Sequence, residues 1–378
     1  MNVDTVSPFW TIACTSPDPL RDPVVRWHLR RERTLWSHAM RMFMFWDPVP
    51  PADARAALGD ELPLERLLEI GLLRRTEAGD IVSAFAMRMP AVGAATFVLS
   101  DDLAAGGDTV MGPSAASVTL ARFACPIVPV RRGLDLGCGA GTLALAMAPT
   151  CERVVATDVS PRAIALARIN TWLNDVDNVE LRTGDLLSPV AGESFDVIAS
   201  QPPFVPKPPD LPAALFLFGG PRGDEVPLQT LSETASHLAP GGLALMAVNW
   251  PIVEGEPPLL ERLRARLGPS PDLTLLLLFA AGGGPADQSR LYGALHHPNG
   301  GEERDRDVMR FREHFERGKI RQIIHSYTAV RYRPGLVGWT SSVPLDKLVD
   351  APASRDTLDV LFAQGDRTTA PGPAPLSR

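Results

Sequence analysis

The chain has 378 residues, of which 45% are hydrophobic and 21% are charged, and this composition excludes a disordered or fibrous protein. Its length favours two domains, or one large domain with an added lobe. The formal net charge of -7 disfavours nucleic acid as a partner, although a local basic face can override it.

Cysteines and apolar segments narrow the class further. The four cysteines show no C-x-x-C spacing, so neither a metal site nor a disulfide framework is indicated. The longest apolar stretch, Leu273–Ala281, is too short to span a bilayer and predicts a buried strand. The N-terminus lacks the basic start and apolar core of a signal peptide. We therefore expect a cytoplasmic protein with no membrane role.

The first predicted element is a basic, aromatic stretch between Pro23 and Trp46. Arginines alternate there with tryptophans, on a segment with partly helical apolar spacing. Such a stretch either clamps phosphates and stacks bases, or forms a helix with buried tryptophans and solvated arginines. The sequence leaves both interpretations open.

Residues 52–90 predict a helix followed by two strands. Leucines at helical spacing indicate a helix over 62–70 that ends at Gly71, and strands are predicted over 72–75 and 81–88. This order is typical of a winged-helix unit, which binds DNA in some proteins and caps a substrate pocket or forms a dimer face in others. We expect residues 1–105 to form a helical, winged-helix-like lobe for substrate binding or for covering the site.

From Arg132 onward, strands alternate with helices, which predicts a doubly wound α/β fold with a mostly parallel, seven-stranded, Rossmann-like sheet. The predicted strands lie near 133–136, 153–158, 179–183, 195–200, 242–249, 272–279 and 324–332. The predicted helices lie near 141–149, 161–173, 227–238 and 257–267. We expect a long exposed loop over 282–307 and disorder in the last ten residues. The predicted α/β domain spans 106–340, and 341–378 form a C-terminal extension.

A glycine-rich loop follows the first of these strands. Its sequence from Asp135 to Thr142 is Asp-Leu-Gly-Cys-Gly-Ala-Gly-Thr, which suits a turn that lets a ligand approach the backbone, or a purely structural turn. A dinucleotide site requires Gly or Ala where this chain has Thr142, so a nicotinamide cofactor is disfavoured. The carboxylate of Asp135 suits a cationic amino-acid group. The predicted ligand contacts of this loop are Asp135, Gly137, Cys138, Gly139, Gly141 and Thr142.

Two further acids follow the next two predicted strands. Asp158 ends the second strand at about the ~20-residue spacing of a ribose-binding acid, and Asp185 ends the third. Three acids at successive strand ends suit a cationic nucleoside better than a nucleotide. The alternative is that each acid caps a helix or a turn. The residues that follow the two acids, Val159 and Leu186, are assigned to the same site.

The fourth predicted strand runs directly into Gln201-Pro202-Pro203-Phe204-Val205-Pro206. Two consecutive prolines fix a rigid bend at the sheet edge where doubly wound folds bind substrates. We therefore expect this edge to position a substrate.

In combination, these motifs resemble those of the class I S-adenosylmethionine-dependent methyltransferases. In the branch that this chain resembles, Asn, Asp or Ser precedes a Pro-Pro pair, and an aromatic residue follows the pair. This branch includes the release-factor glutamine methyltransferases and the ribosomal guanine and adenine N-methyltransferases. The resemblance covers roughly residues 110–335. The positions that match in order and spacing are Asp135–Thr142, Asp158, Asp185 and Gln201–Phe204, and Phe218–Gly223 is similar to a segment of the glutamine methyltransferases.

The resemblance implies roles for the Pro-Pro motif. Gln201 and the carbonyl of Pro202 would accept hydrogen bonds from a planar substrate nitrogen beside the cofactor, and Phe204 would stack on the substrate. This chain departs from the family because Gln is not among the usual residues at that position, and its extra methylene moves the acceptor oxygen. The alternatives are that Gln201 only braces the turn and that Phe204 belongs to the core.

The combined motifs indicate an enzyme that uses S-adenosyl-L-methionine to methylate a nitrogen of a small-molecule, peptide or protein acceptor. The second hypothesis is a base N-methyltransferase of ribosomal or transfer RNA. The third is a catalytically silent, cofactor-binding regulator whose winged unit binds DNA. Residues from Gly112 to Leu120 are expected to cover the methionine end of the cofactor. The sequence leaves the acceptor, the methylated atom and the oligomeric state open.

Overall fold

The computed structural model describes residues 23–90, 92–94, 97–101, 107–280, 282–297, 300–348 and 353–369. Among these residues, no helix is both long enough and apolar enough to cross a membrane. The chain divides into two compact units, one made of Met1–Arg88 and Val98–Asp102 and the other of Met89–Phe97 and Leu103–Arg378. Almost all of the tail that the sequence predicts to be disordered lies outside the described residues.

The first unit combines short helices with two small antiparallel sheets. Its described helices are α1 (Pro23–Glu32), α2 (Leu35–Phe43), α3 (Pro51–Leu58) and α4 (Leu64–Glu69), and its strands are β1 (Leu73–Arg75), β2 (Ile81–Ser83), β3 (Ala86–Arg88) and β4 (Val98–Ser100). Strand β1 pairs with β2, and β3 pairs with β4. The order α4, β1, β2 is the predicted helix and hairpin.

The strand predicted over 81–88 is divided in two. The amide of Phe85 donates to the hydroxyl oxygen of Ser83 at 3.1 Å, in a local turn that ends β2. Strand β3 then begins at Ala86 and pairs with a different partner. Sequence periodicity did not reveal the break, because hydrophobic residues continue across it.

The basic, aromatic stretch forms α1 and α2. Trp27 and Trp36 are about half exposed, at 52% and 51%, so the interpretation in which the tryptophans are buried is wrong for these two. The guanidinium of Arg31 lies 4.6 Å from the centre of the Trp27 ring. Arg30 and Arg41 both bind the buried carboxylate of Asp47, at 2.5 and 2.6 Å. These two arginines therefore hold the end of the stretch in place and are not simply solvated.

The second unit is built on one eight-stranded sheet. Its strands are β5 (Val130–Leu136), β6 (Cys151–Asp158), β7 (Val179–Thr183), β8 (Phe195–Ser200), β9 (Leu238–Val253), β10 (Leu273–Phe279), β11 (Ile320–Tyr332) and β12 (Thr340–Pro344). They lie in the order β12-β10-β11-β9-β8-β5-β6-β7. Only β11 runs antiparallel to its neighbours. This is the predicted doubly wound, mostly parallel sheet, with β12 as an additional edge strand that the sequence analysis did not predict.

Helices connect and cover these strands. They are α5 (Ala115–Ala124), α6 (Thr142–Met147), α7 (Pro161–Leu173), α8 (Glu225–Thr234), α9 (Leu259–Leu267), α10 (Pro285–His296), α11 (Glu302–Arg317) and α12 (Arg355–Thr369). Alternate residues of the strands enter two different core clusters, with Val154 in one and Val155 in the other. Burial on both faces explains the nearly continuous apolar runs of the strands.

The prediction of an exposed loop over 282–307 is wrong. Helix α10 and the start of α11 occupy most of that segment. Helix α11 is strongly charged, and its buried residues are only Asp307, Phe311 and Phe315. Such a narrow apolar stripe gives a weak helical pattern in the sequence, and the adjoining glycines made a loop the simpler interpretation.

Candidate functional site

A cavity of about 430 Å³ opens where β5 lies between β6 and β8. This is the position where the connections of the sheet change direction, and open α/β sheets bind their ligands at such a point. The lining includes residues that follow β5, β6, β7 and β8, together with residues 108–112 and 213–216. Ten of the predicted site residues share it, namely Asp135, Gly137, Cys138, Gly139, Thr142, Asp158, Val159, Asp185, Leu186 and Gln201, and Pro202 is an eleventh.

The glycine-rich loop lines the cavity with backbone. Gly137, Gly139 and Gly141 all have positive φ, at 73°, 51° and 84°, which explains why three glycines occur there. Gly141 lies just outside the lining and caps α6. A Cβ atom on it would lie 3.2 Å from Cβ of Ala167, so this glycine serves the packing of loop against helix. Burial raises the pKa of the Cys138 thiol well above its ordinary value.

Asp135 is a buried acid with one unsatisfied oxygen. Its side chain is 1% exposed, and Oδ2 accepts a hydrogen bond from the Ala144 amide at 2.8 Å. Oδ1 is buried and has no hydrogen-bond partner among the described residues. Burial raises the pKa of this carboxyl to about 7. A cationic ligand would supply the missing partner and stabilise the ionised form.

Asp158 ties the end of β6 to the glycine-rich loop. Its Oδ2 accepts from the Gly139 amide and its Oδ1 from the Ser160 amide, each at 2.9 Å. Burial raises the pKa of Asp158, and the two amide bonds oppose that rise. Each oxygen retains a second lone pair for a ligand hydroxyl. The capping and ligand-binding interpretations of this acid are therefore compatible.

Asp185 lines the cavity just after β7. Its backbone carbonyl accepts from the Ser188 hydroxyl at 2.6 Å. Leu186, the next residue, has a positive φ of 45°, which is unusual for a branched side chain.

Gln201 directly follows β8. The preceding residue, Ser200, donates from its hydroxyl to the Leu136 carbonyl at 2.8 Å and fastens β8 to β5. The half-buried Gln201 lines the cavity, and within the described residues its side-chain amide makes no hydrogen bond. It therefore does not brace the turn through hydrogen bonds in this conformation.

Phe204 lies outside the lining. Its partly buried ring packs against two hydrophobic clusters of the second unit, which is the alternative arrangement that the sequence left open. Pro203, Phe216 and Phe218 line the cavity nearby.

The sequence analysis did not predict that the loop after the Pro-Pro motif lines the cavity. We call the lining part of this loop, Lys207, residues 213–216 and Phe218, the inner wall. Val205 and Phe218 form an isolated parallel bridge that folds this loop back on itself. A Cβ atom on Gly219 would lie 2.4 Å from the Pro203 carbonyl oxygen, and one on Gly223 would lie 2.5 Å from that of Phe204. These glycines were visible as a motif, and close backbone packing is the physical reason for them.

Residues 108–112 also line the cavity, and of these the sequence analysis had assigned only Gly112 to the site. Ser117 also lines the cavity, whereas Ser114 caps α5. Of the segment expected to cover the cofactor, Gly112 and Ser117 therefore line the cavity. Among the described residues, no group of three or more His, Cys, Asp or Glu side chains is placed to hold a metal ion.

Comparison with known proteins gives a consistent family. The family model of the methyltransferase small domain matches residues 115–212. A release factor glutamine methyltransferase of Deinococcus radiodurans is 32% identical over 229 residues, which are 53% of this chain and 80% of that protein. The ribosomal RNA small subunit methyltransferase C of Idiomarina loihiensis is 35% identical over 131 residues, which are 33% of this chain and 35% of that protein.

The extent of these matches differs between relatives. The chain spans about half the length of several other curated relatives, such as 47% of the release factor glutamine methyltransferase of Koribacter versatilis. Among solved structures, a methyltransferase from Pyrococcus furiosus is similar with a TM-score of 0.33 and 20% identity, covering 61% of this chain and 91% of that chain.

Proposed function

Because the chain belongs to the class I S-adenosylmethionine-dependent methyltransferases, in the branch of the methyltransferase small domain, we propose that it methylates a nitrogen of a small-molecule, peptide or protein acceptor. The observation that carries this proposal is the position of Gln201. Its side-chain amide, which makes no hydrogen bond within the described residues, lines the same cavity as Asp135 and Asp158.

The residues at the glycine-rich end fit S-adenosyl-L-methionine. Asp135 has a buried, unsatisfied oxygen for the ammonium group, and Asp158 has lone pairs for the ribose hydroxyls. Gly137 and Gly139 adopt positive φ values that favour glycine, and because glycine has no side chain they leave this part of the cavity open. When bound, this cofactor supplies an activated methyl group on a sulfonium. We assign to this site the residues that the sequence predicted there, apart from Gly141, which we assign to loop packing.

Alignment of the acceptor is the main task left to the protein. Methyl transfer forms a carbon–nitrogen bond as a carbon–sulfur bond breaks, and the acceptor nitrogen then releases a proton to water. A neutral amide or aromatic amine is a weak nucleophile, so hydrogen bonds to its N–H groups help most as positive charge develops on the nitrogen. Gln201 Oε1 and the Pro202 carbonyl are the acceptors that we assign to this task.

A second candidate function is methylation of an RNA base. It is favoured by the similarity to a ribosomal RNA methyltransferase, so the inference from net charge against a nucleic-acid acceptor stays a prediction. The same planar N–H chemistry serves an amide and an exocyclic base nitrogen, and the Pro-Pro motif suits both.

Incubation of the purified protein with methyl-labelled cofactor and fractionated cell extract tests these functions. We expect label in the protein or small-molecule pool, and much less label with the Asp158→Ala variant at a cofactor concentration that does not saturate it. Label in RNA would establish the second function instead. Binding of S-adenosylhomocysteine without label in any pool would overturn methyl transfer and favour a silent regulator.

A further inference from the structure

One basic side chain lines the cavity among the described residues, and it has no assigned role. Lys207 lies six residues after Gln201, in the loop that forms the inner wall. On the basis of the proposed function, we propose that Lys207 binds an anionic group of the methyl acceptor. The acceptor would then be a compact apolar molecule, or the end of one, that carries a carboxylate or phosphate.

The backbone of Lys207 is held in place. Its amide donates to the Gly220 carbonyl at 2.9 Å. Two residues earlier, the Val205 amide donates to the Leu217 carbonyl at 2.9 Å, and the Val205 carbonyl accepts from the Gly219 amide at 3.0 Å. The lysine therefore lies on a segment whose register is fixed by backbone hydrogen bonds.

The helices that replace the expected exposed loop support this segment. Tyr292 of α10 and Phe311 and Phe315 of α11 belong to the same buried cluster as Val205 and Phe218. His314 adds a hydrogen bond between its ring Nε2 and the Pro221 carbonyl, at 2.5 Å. A loop supported by an aromatic core can hold a binding group in a preorganised position.

The charge of Lys207 is not neutralised within the described part of the chain. No carboxylate pairs with its ammonium group there, and its Nζ atom lies 5.8 Å from the centre of the Phe218 ring. The acids that line the cavity are found elsewhere, on the strand ends and in the 108–112 segment; they are Asp108, Asp135, Asp158 and Asp185. A half-buried cation over an aromatic face, with no counter-ion among the residues that the structure describes, is suited to an incoming anion.

The neighbouring wall defines the rest of the acceptor. Ala213, Ala214, Leu215, Phe216 and Phe218 line the cavity beside this lysine. Their side chains offer no hydrogen-bonding groups, so they favour an apolar body. A charge-assisted bond at one end and an apolar contact along the body would set the direction in which the acceptor enters.

Binding to the protein saturated with S-adenosylhomocysteine tests the proposal without requiring turnover. The probes are 4-aminobenzoate against 4-aminobenzamide, and phenyl phosphate against phenol, measured by titration calorimetry. We expect at least one anion to bind roughly tenfold or more tighter than its neutral counterpart. Comparison of the two pairs distinguishes a carboxylate from a phosphate site.

Three variants accompany this measurement. Lys207→Met, which keeps the apolar stem, should abolish the preference for the anion, whereas Lys207→Arg should retain it. Lys347→Met, at an exposed position outside the lining, is the matched control and should behave as the parent. An unchanged preference in Lys207→Met, or failure of both anions to bind the parent protein, would overturn the proposal.

The carboxylate of the cofactor itself is the other source of an anion. We therefore compare S-adenosylhomocysteine with 5′-methylthioadenosine, which lacks the amino-acid group, in the parent and in Lys207→Met. We expect the variant to bind both as the parent does. A loss of affinity for S-adenosylhomocysteine alone would assign Lys207 to the cofactor and refute an acceptor role. If the parent protein fails to bind S-adenosylhomocysteine, the proposed function fails, which is a separate result.

Discussion

The amide of Gly139 donates a hydrogen bond to Oδ2 of Asp158 at 2.9 Å, across 19 positions of the chain. This bond joins the middle of the glycine-rich loop to the end of the neighbouring strand. One carboxylate therefore shapes the loop and faces the cavity. In this fold, the geometry of the loop depends on the residue that we assign to the ribose.

We predict that Asp158→Ala weakens the binding of S-adenosylhomocysteine by roughly 1.5–3 kcal/mol, the loss expected for hydrogen bonds to a charged group. Titration calorimetry measures this change. Asp177→Ala, at an exposed position outside the lining, is the control and should bind as the parent does. Unchanged affinity in Asp158→Ala would remove this residue from the site.

A second prediction concerns the stability of the ligand-free protein against pH. Burial raises the pKa of Asp135 from 3.8 to about 7, so the folded protein holds this proton more tightly than the unfolded chain. The resulting stabilisation is complete below about pH 4 and is lost as the pH rises through about 7. Its full size is on the order of 4 kcal/mol. Denaturant unfolding at several pH values measures it.

Asp135→Asn separates this effect from other titrating groups. The amide keeps an acceptor for Ala144 but has no charge, so the variant should be more stable than the parent at pH 8. Its affinity for S-adenosylhomocysteine should nevertheless fall, because the ammonium group loses its anionic partner. In the parent protein, affinity should increase with pH up to about 7, and this dependence should disappear in the variant. A variant that is stabilised and also binds at full affinity would contradict the assignment.

Seven of the eight strands of the sheet were predictable because each carries a local signal in the sequence. Strands β7 and β8 and helix α7 have the predicted bounds. The two strands end at turns, and Ser160 and Pro161 mark the start of the helix. The three glycines of the glycine-rich loop likewise indicated its geometry in the sequence, and all three adopt positive φ.

The missed features depend on tertiary contacts. Helix α11 packs against the rest of the unit through three buried residues. Strand β12 forms by parallel pairing with β10. Nothing local in either segment specifies those partners. The placement of Phe204 outside the cavity has the same origin, because its ring packs against two hydrophobic clusters.

A third prediction concerns the division of the chain. Val92 is 7% exposed and belongs to the core of the second unit, and Phe97 exchanges hydrogen bonds with the Asn174 side chain at 3.1 and 2.7 Å. A protein that starts at Met89 should therefore keep its affinity for S-adenosylhomocysteine. A protein that starts at residue 106 loses these contacts and should be less stable by roughly 1.5–3 kcal/mol from Val92 alone. Equal stability of the two proteins would contradict this boundary.

The truncation at Met89 also tests the predicted role of the lobe assigned to residues 1–105, because it removes residues 1–88 of it. If they form the substrate lobe, the protein that starts at Met89 should bind S-adenosylhomocysteine but fail to methylate its acceptor. Turnover at the full rate would show that the lobe is dispensable for acceptor binding.

The fourth prediction concerns Gln201, the position at which this chain departs from its family. Its side-chain amide makes no hydrogen bond within the described residues, so Gln201→Ala should change the free energy of unfolding by no more than about 0.5 kcal/mol. If Oε1 accepts the nitrogen-bound hydrogen as the new bond forms, the variant should lower kcat and kcat/KM together, by a factor on the order of 10²–10³. Affinity for S-adenosylhomocysteine should be unchanged.

Gln201→Asn, which restores the usual family residue, should not restore activity, because the shorter side chain withdraws the acceptor oxygen by more than the tolerance of methyl transfer. Steady-state kinetics with the acceptor found in the labelling experiment measures both variants. An alanine variant with the turnover of the parent would remove Gln201 from the mechanism and leave the rigid prolines as the contribution of the motif.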